Sequence, residues 1–266
     1  TYTRSMGRGI YVVDALTGAL LWRAIRTGTA ASDTTIVSGM DYSIPANVSM
    51  VKSDSGATVR GYVGDTGGNM WRVDFRYDST NGWANTIVTK LASVGGSGAV
   101  KRKFLGGPDV VRYPSKGFDA ILAGSGDREH PFDTSVTNRF YMFKDFGSDS
   151  GPLTGTTGAS GANPTLLESN LFDVTNNCIQ EASACTTGVT PATATASLNA
   201  SAGYFLTLGT GEKVISTSIS VGGTTFFNTN QPSASAGGGT CGSNLGISRA
   251  YEISTLDATA TRDLNI

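Results

Sequence analysis

The chain has 266 residues with 20 basic and 21 acidic side chains, so its formal net charge is −1. Because binding to nucleic acid depends on a basic surface, this balance argues against nucleic acid as a main partner. Charged residues make up 15% of the chain and 35 residues are glycine, which is typical of a turn-rich extracytoplasmic β protein. No apolar run is long enough to span a membrane, and no signal peptide is recognised. Since Thr1 is an unusual natural start, we expect residues 1–266 to be a fragment of a longer protein or a mature chain.

The predicted elements are almost all strands, because β-branched and aromatic runs alternate with clusters of Gly, Pro, Asn and Asp. The chain begins with a hairpin at residues 9–24, and a polar loop follows at residues 27–41. Since no long amphipathic helix is predicted, the fold class is all-β. Further strands are predicted at residues 44–51, 59–63, 70–75, 86–91, 108–112, 120–123, 139–144, 203–208, 213–220, 224–228 and 248–253.

Two segments interrupt this series of strands. Residues 147–161 are almost all Gly, Ser, Thr and Pro, which predicts a surface loop or a disordered insertion. Residues 186–200 form a low-complexity Thr/Ala segment. We therefore expect antiparallel strands with long loop insertions.

The hairpin at residues 61–75 is the feature around which the chain is organised. Its Gly-rich turn supplies the positive φ angles that other residues resist. Side-chain alternation places Trp71 and Val73 on one face of the returning strand. It places Met70 and Arg72 on the opposite face.

An aromatic side chain recurs at a matching place in four predicted strands, and three of these strands end in Asp. They span residues 10–14, 70–74, 140–145 and 250–253. Small antiparallel sheets that cannot bury their faces alone stack radially in β-propellers. The repeats lie further apart than the roughly 40–50 residues of a usual blade, so we expect about four or five blades with insertions in their loops. A β-sandwich with coincidental aromatic residues is the alternative.

The three cysteines suggest one local disulfide. Cys178 and Cys185 lie in a polar, helix-breaking stretch, and we expect them to pair in an oxidising compartment. Cys241 is then left over, and its partner could lie outside this chain. With His130 as the one histidine, the composition argues against a zinc site of the usual kind.

Several stretches resemble the C-terminal domain of the PilY family, which comprises type IV pilus biogenesis factors and pilus-tip adhesins. The matching stretches are residues 62–74, 124–131, 138–141, 203–205 and 211–214. The resemblance implies a modified β-propeller that is exported to the periplasm, the outer membrane or the cell surface. It also implies contact with pilin and minor pilins, regulation of pilus extension and retraction, and twitching motility. Attachment to a host or abiotic surface is a further implied role, and a surface adhesion module independent of pilus assembly is an alternative.

The family resemblance also implies a calcium loop just before the organising hairpin, at residues 51–59. Calcium takes six to eight oxygen ligands, typically including several carboxylates. Here the stretch offers Asp54, which is out of register, and the hydroxyl groups of Ser53 and Ser55. We therefore predict that this degenerate loop binds no calcium and that the chain uses no cofactor.

The hairpin at residues 9–24 also looks like a repeat of quinoprotein propellers, which raises the alternative of a pyrroloquinoline-quinone dehydrogenase. No second copy of the hairpin and no neighbouring pair of cysteines accompany it, so we prefer a structural role. We likewise interpret Trp22, Trp71 and Trp83 as core or blade-interface residues.

A run of charged residues follows Gly-Ser-Gly and invites a catalytic interpretation. Asp127, Glu129 and His130 are residue types capable of acid–base chemistry. No nucleophile is marked, however, and such runs are typical of ion-paired turns. We predict that the chain is not an enzyme, and we expect Arg128 to pair with an Asp of a neighbouring sheet.

Overall fold

The structure is a computed structural model that describes residues 6–97, 101–147, 165–233 and 246–261. Within these ranges the chain forms sixteen strands in four sheets, three short 3-10 helices and one α-helix. Most strand pairs are antiparallel, which confirms the predicted all-β class. No helix of the described ranges is long and apolar enough to cross a membrane. Cys241 and, apart from Gly147, the predicted insertion at residues 147–161 lie outside the described residues.

The first sheet has three strands. β1 (Gly9–Val13) and β2 (Leu20–Ile25) form the predicted antiparallel hairpin. β3 (Thr34–Ile36) runs parallel to β2, so the prediction of a loop throughout residues 27–41 was wrong. Thr34 is buried, because its β-branched side chain packs in the sheet although its surroundings in the sequence are polar.

The second sheet is an antiparallel meander of β4 (Ser49–Lys52), β5 (Thr58–Gly64), β6 (Asn69–Asp74) and β7 (Ile87–Ser93). The strand predicted at residues 44–51 begins only at Ser49. Pro45 cannot donate to a sheet ladder, and the chain before Ser49 forms a loop.

The turn between β5 and β6 is held by the side chain of Asp65. Its Oδ1 accepts hydrogen bonds from the backbone amides of Gly67 (2.8 Å) and Asn69 (2.9 Å). Its Oδ2 accepts a hydrogen bond from the indole Nε1 of Trp71 at 2.9 Å. The predicted Gly-rich turn is confirmed, with Gly68 at a φ of +76°.

The third sheet has five strands in the order β11, β12, β10, β9, β8. β8 (Asp109–Tyr113), β9 (Phe118–Gly124) and β10 (Arg139–Asp145) are consecutive antiparallel strands. β12 (Gly203–Thr207) then pairs antiparallel with β10, and the short β11 (Phe172–Asp173) pairs parallel with β12.

The low-complexity segment at residues 186–200 contains an α-helix, α1 (Pro191–Ala200), which the sequence analysis did not predict. Pro191 occupies the first turn, where a missing N–H is tolerated, and Thr190 accepts a hydrogen bond from the backbone amide of Thr193. At the other end, the buried ammonium group of Lys144 donates to three backbone carbonyls. These belong to Leu198 (3.0 Å), Asn199 (3.1 Å) and Ser201 (3.0 Å).

The fourth sheet is built on the long strand β15 (Thr224–Gln231). β16 (Ile247–Ser254) pairs with β15 over its whole length. The strand predicted at residues 213–220 is split into β13 (Lys213–Val214) and β14 (Ile219–Val221), which pair with opposite ends of β15. The split follows from side-chain competition, because Ser216 Oγ accepts the amide of Asn228 in place of a ladder carbonyl.

The four sheets pack face to face in chain order, and an apolar core lies between each consecutive pair. The aromatic strands β1, β6, β10 and β16 fall one in each sheet, as the repeat predicted. The alternation predicted for β6 is also confirmed, since Trp71 and Val73 face the first sheet whereas Met70 faces the third. Large members of the three cores are, in order, Trp22 with Trp71, Tyr62 with Tyr141, and Phe140 with Phe227.

The substitution Gly68→Ala tests the close backbone approach at this turn, with Gly56→Ala as its matched control. Both glycines have positive φ, but a Cβ at Gly68 would lie 2.3 Å from Gly95 Cα, whereas a Cβ at Gly56 would have nothing within 4 Å. We expect Gly56→Ala to cost about 1 kcal/mol of unfolding free energy and Gly68→Ala about 1–3 kcal/mol more. Urea denaturation measures both, and equal losses would contradict the proposed packing constraint.

Candidate functional site

The predicted degenerate calcium loop forms the exposed turn between β4 and β5. Its polar groups bond within the turn: the amide of Ser53 donates to the carbonyl of Ala57, and the hydroxyl groups of Ser53 and Ser55 lie 2.8 Å apart. Asp54 is exposed and supplies the loop's one carboxylate. Such a donor set does not fit calcium, which requires more oxygen ligands and more negative charge.

Cys178 and Cys185 are joined by a disulfide in the segment between β11 and α1. A cavity of about 180 Å³ lies beside this bridge. Asp173, Asn177 and Asp257 contribute polar groups to its lining, and the remainder is mostly apolar. The bridge fixes the irregular segment that leads into α1.

The charged run after β9 is an ion-paired turn. Asp127 Oδ2 lies 2.5 Å from the ammonium nitrogen of Lys103 and 2.9 Å from Nδ1 of His130. The carboxylate of Glu129 lies 3.6 Å from the same ammonium group. Partial burial acts to raise the pKa of Asp127, but the hydrogen bonds from Lys103 and His130 outweigh it, so this pKa lies below its ordinary value.

The carboxylates of Asp127 and Glu129 and the imidazole of His130 are close enough to share a metal ion, since their ligand atoms lie within 4.8 Å of one another. Lys103 changes what the cluster can do, because its ammonium group already neutralises the most buried carboxylate. Asp127 with a lowered pKa is also a weak proton carrier near neutral pH. Lys103 carries no local sequence signal for this contact, since it precedes Asp127 by 24 residues.

Arg128 points away from this cluster, and the prediction that it pairs with an Asp was wrong. Its guanidinium group donates weakly to the backbone carbonyls of Leu105 (3.4 Å) and Ile215 (3.3 Å). The side chain lines a cavity of about 260 Å³ together with the loops that precede the second and third sheets and the loop between β13 and β14. These loops approach closely there, and a guanidinium bridges their backbones without a carboxylate.

A buried ionic network joins the second and third sheets. The side chain of Arg72 is fully buried, and its Nη1 lies 2.7 and 2.8 Å from the two carboxylate oxygens of Asp145. Its Nε and Nη2 contact Asp74, with the shortest distance at 2.6 Å. The phenol of Tyr62 donates to Asp145 at 2.6 Å. The guanidinium group of Arg72 thus pairs with Asp74 at the end of β6 and with Asp145 at the end of β10.

A second buried pair lies on the same interface. Arg60 Nη2 contacts Asp119 Oδ2 at 2.5 Å, and Arg112 approaches the other carboxylate oxygen at 3.6 Å. Burial raises the pKa of Asp119, and it also raises that of Asp74, although the neighbouring arginines act in the opposite direction. These carboxylates therefore hold two packed sheets in register.

The three tryptophans pack in or against the core between the first and second sheets, as predicted. Trp22 and Trp71 are buried, and Trp83 packs edge-on against Phe75 at a ring-centroid distance of 6.3 Å. Trp22 donates its indole N–H to the hydroxyl group of Thr35.

The chain is an all-β domain of four stacked, mostly antiparallel sheets, and a solved structure has a similar fold. The crystal structure of the PilY1 C-terminal domain from Pseudomonas aeruginosa is similar to this chain, with a TM-score of 0.61 and 20% sequence identity. The similarity covers 94% of this chain and 53% of the solved chain, so this chain spans about half of that structure. It confirms the predicted PilY resemblance at the level of the fold. No protein-family model and no curated protein matches the sequence.

The network predicts a large effect of Asp145→Asn. The change leaves the buried Arg72 short of a counter-charge, so we expect a loss of about 3–5 kcal/mol of unfolding free energy. Asp14→Asn is the matched control, because Asp14 also follows an aromatic strand but is only partly buried and accepts hydrogen bonds within its own turn. Chemical denaturation of both variants provides the measurement, and similar small losses would show that the network contributes little.

The ion-paired turn predicts a pH-dependent effect of Asp127→Asn. A carboxylate whose pKa is lowered on folding stabilises the protein above its ordinary pKa of 3.8, and this contribution is lost as pH falls through the lower folded value. We expect the variant to be about 1 kcal/mol less stable at pH 7 and the difference to shrink below pH 3.8. Asp54→Asn is the exposed control, and a difference that does not change with pH would contradict this role.

Proposed function

We propose that this chain is a non-enzymatic module of an exported type IV pilus biogenesis factor that acts through protein contacts. The observation that supports it is the fold similarity to the PilY1 C-terminal domain over 94% of the chain. The resembling stretches at residues 62–74 and 124–131 include the Asp65 turn, Arg72 and the ion-paired turn, which are structural centres of the fold. In this proposal the partners are pilin and minor pilins, and the activity is regulation of pilus extension, retraction and twitching motility.

The proposal includes a modified β-propeller in which each sheet is a blade. Consecutive sheets pack face to face, and β8, the first strand of the third sheet, contacts β4 of the second sheet and β14 of the fourth. Radial blades would bring their inner strands together in this way. The outer faces of the first and fourth sheets expose apolar side chains, as expected for blades that pack on further blades in a ring. Examples are Tyr11, Val13, Ile219 and Val221.

An extracytoplasmic location is supported by the disulfide between Cys178 and Cys185. Disulfides persist in oxidising compartments such as the bacterial periplasm and cell surface. The neutralised Asp127 cluster likewise favours a structural role over acid–base catalysis. A calcium titration of the purified chain tests the degenerate loop, where tight binding that is lost in Asp54→Ala would overturn our prediction.

The experiment that tests the proposed function deletes the encoding gene and measures surface pili and twitching motility. We expect both to fall in the deletion strain and to return on complementation with the intact gene. Complementation with Asp145→Asn should fail, because the sheet interface is destabilised, whereas Asp14→Asn should restore pili. Unchanged pili and twitching in the deletion strain would contradict the proposal. Loss of surface attachment with normal pili would favour the adhesion module, and a bound quinone chromophore would favour the dehydrogenase.

A further inference from the structure

A polar groove of about 410 Å³ opens beside the Asp65 turn, at the end of the second sheet where β7 finishes. Gly67, Gly95 and Gly96 line one side of it with bare backbone. Gly95 leaves no room for a side chain, because a Cβ there would lie 1.9 Å from the carbonyl oxygen of Gly67. The groove is therefore shaped by tightly packed backbone, and it is open to an extended ligand.

The acidic groups on the groove already have cationic partners. Glu168 accepts from Arg102 Nη1 at 2.6 Å and from Arg139 Nη1 at 2.5 Å, so two guanidinium groups share one carboxylate. Asp41 forms an ion pair with Arg26. The acids of the groove consequently offer little net negative charge.

Lys90 differs from these acidic groups of the groove, because it has no oppositely charged partner among the described residues. It is half-buried on β7, and its ammonium nitrogen lies 5.0 Å from the ring centroid of the buried Trp71. Within the described ranges, this ammonium group forms no hydrogen bond and no ion pair. Lys101 adds a second cation on the same groove, where it donates to the carbonyl of Gly96. The groove thus carries a positive balance in a chain whose net charge is slightly negative.

We propose that this groove binds an acidic peptide segment, with a carboxylate of the peptide at the ammonium group of Lys90. A partly desolvated cation that lacks a counter-charge favours an anionic ligand. Bare glycine backbone allows the main chain of a peptide to approach closely. Tyr42 and Leu167, which are 37% and 50% exposed, flank the cations and suit an apolar side chain of the same peptide. The inference does not depend on the pilus role, since it concerns binding by the purified chain.

The test measures fluorescence anisotropy of a short fluorescein-labelled peptide that alternates Glu and Leu, titrated with the full chain. The comparison peptide has Gln in place of every Glu. We expect the Glu peptide to bind about tenfold more tightly, and its affinity to fall as salt rises. Lys90→Gln should weaken binding of the Glu peptide about tenfold, whereas Lys90→Arg, which keeps the charge and the ring contact, should stay close to wild type.

Lys52→Gln is the control, because Lys52 is an exposed lysine on β4 and does not line the groove. Lys101→Gln provides an independent variant if Lys90→Gln fails to fold. Equal binding of the two peptides, or equal affinities in Lys90→Gln and Lys52→Gln, would overturn the proposal. Binding of an acidic polysaccharide such as polygalacturonate without binding of the Glu peptide would overturn it as well.

Discussion

The fold depends on one buried guanidinium group. Arg72 lies between Asp74 on its own strand and Asp145 on the neighbouring sheet, so the second and third sheets pack only in the register that brings these groups together. An isolated charge in such a position would be strongly unfavourable, and even a well-formed buried pair adds little net stability. We infer that its larger effect is on the specificity of packing, because alternative packings of two similar apolar faces would leave a buried charge unpaired. Tyr62 and the Arg60–Asp119 pair extend the same constraint along the interface.

The turn that precedes β6 imposes a second constraint, because its backbone packs too closely for larger residues. The carboxylate of Asp65 accepts hydrogen bonds from two backbone amides of the turn and from the indole of Trp71. One carboxylate therefore fixes both the turn and the buried side chain of Trp71. Gly68 and Gly95 then bring two loops within backbone contact. The charged groups around the resulting groove come from different elements, and in the part of the chain that the structure describes the ammonium group of Lys90 has no ion-pair partner.

Local features of this fold could be predicted from the sequence, whereas long-range ones could not. The hairpin at residues 61–75 was predictable because alternation and turn chemistry act over a few residues. The Asp that ends each of three aromatic strands was visible as a pattern, but nothing local shows that Asp145 pairs with Arg72 on another sheet. Helix α1 was missed because its Thr/Ala sequence has no apolar stripe, and a distant lysine, Lys144, caps its last carbonyls. The Lys90 groove left no sequence signal, since its walls come from separate loops.

Three buried lysines stabilise the fold, whereas Lys90 lines the groove that we propose as a peptide-binding site. Lys103 neutralises Asp127, Lys144 caps α1, and Lys213 donates to the carbonyls of Pro131 and Gly211, so each ammonium group fixes a loop or helix to a sheet. Desolvation lowers the pKa of Lys144 and Lys213, and the carboxylates of Asp133 and Asp127 act in the opposite direction on Lys213. Both ammonium groups donate to backbone carbonyls. Lys90 is less buried than these three lysines and contacts an aromatic ring in place of carbonyl oxygens. Its donors therefore remain available to a ligand, and recognition can change at this groove without disturbing the interactions that stabilise the sheets.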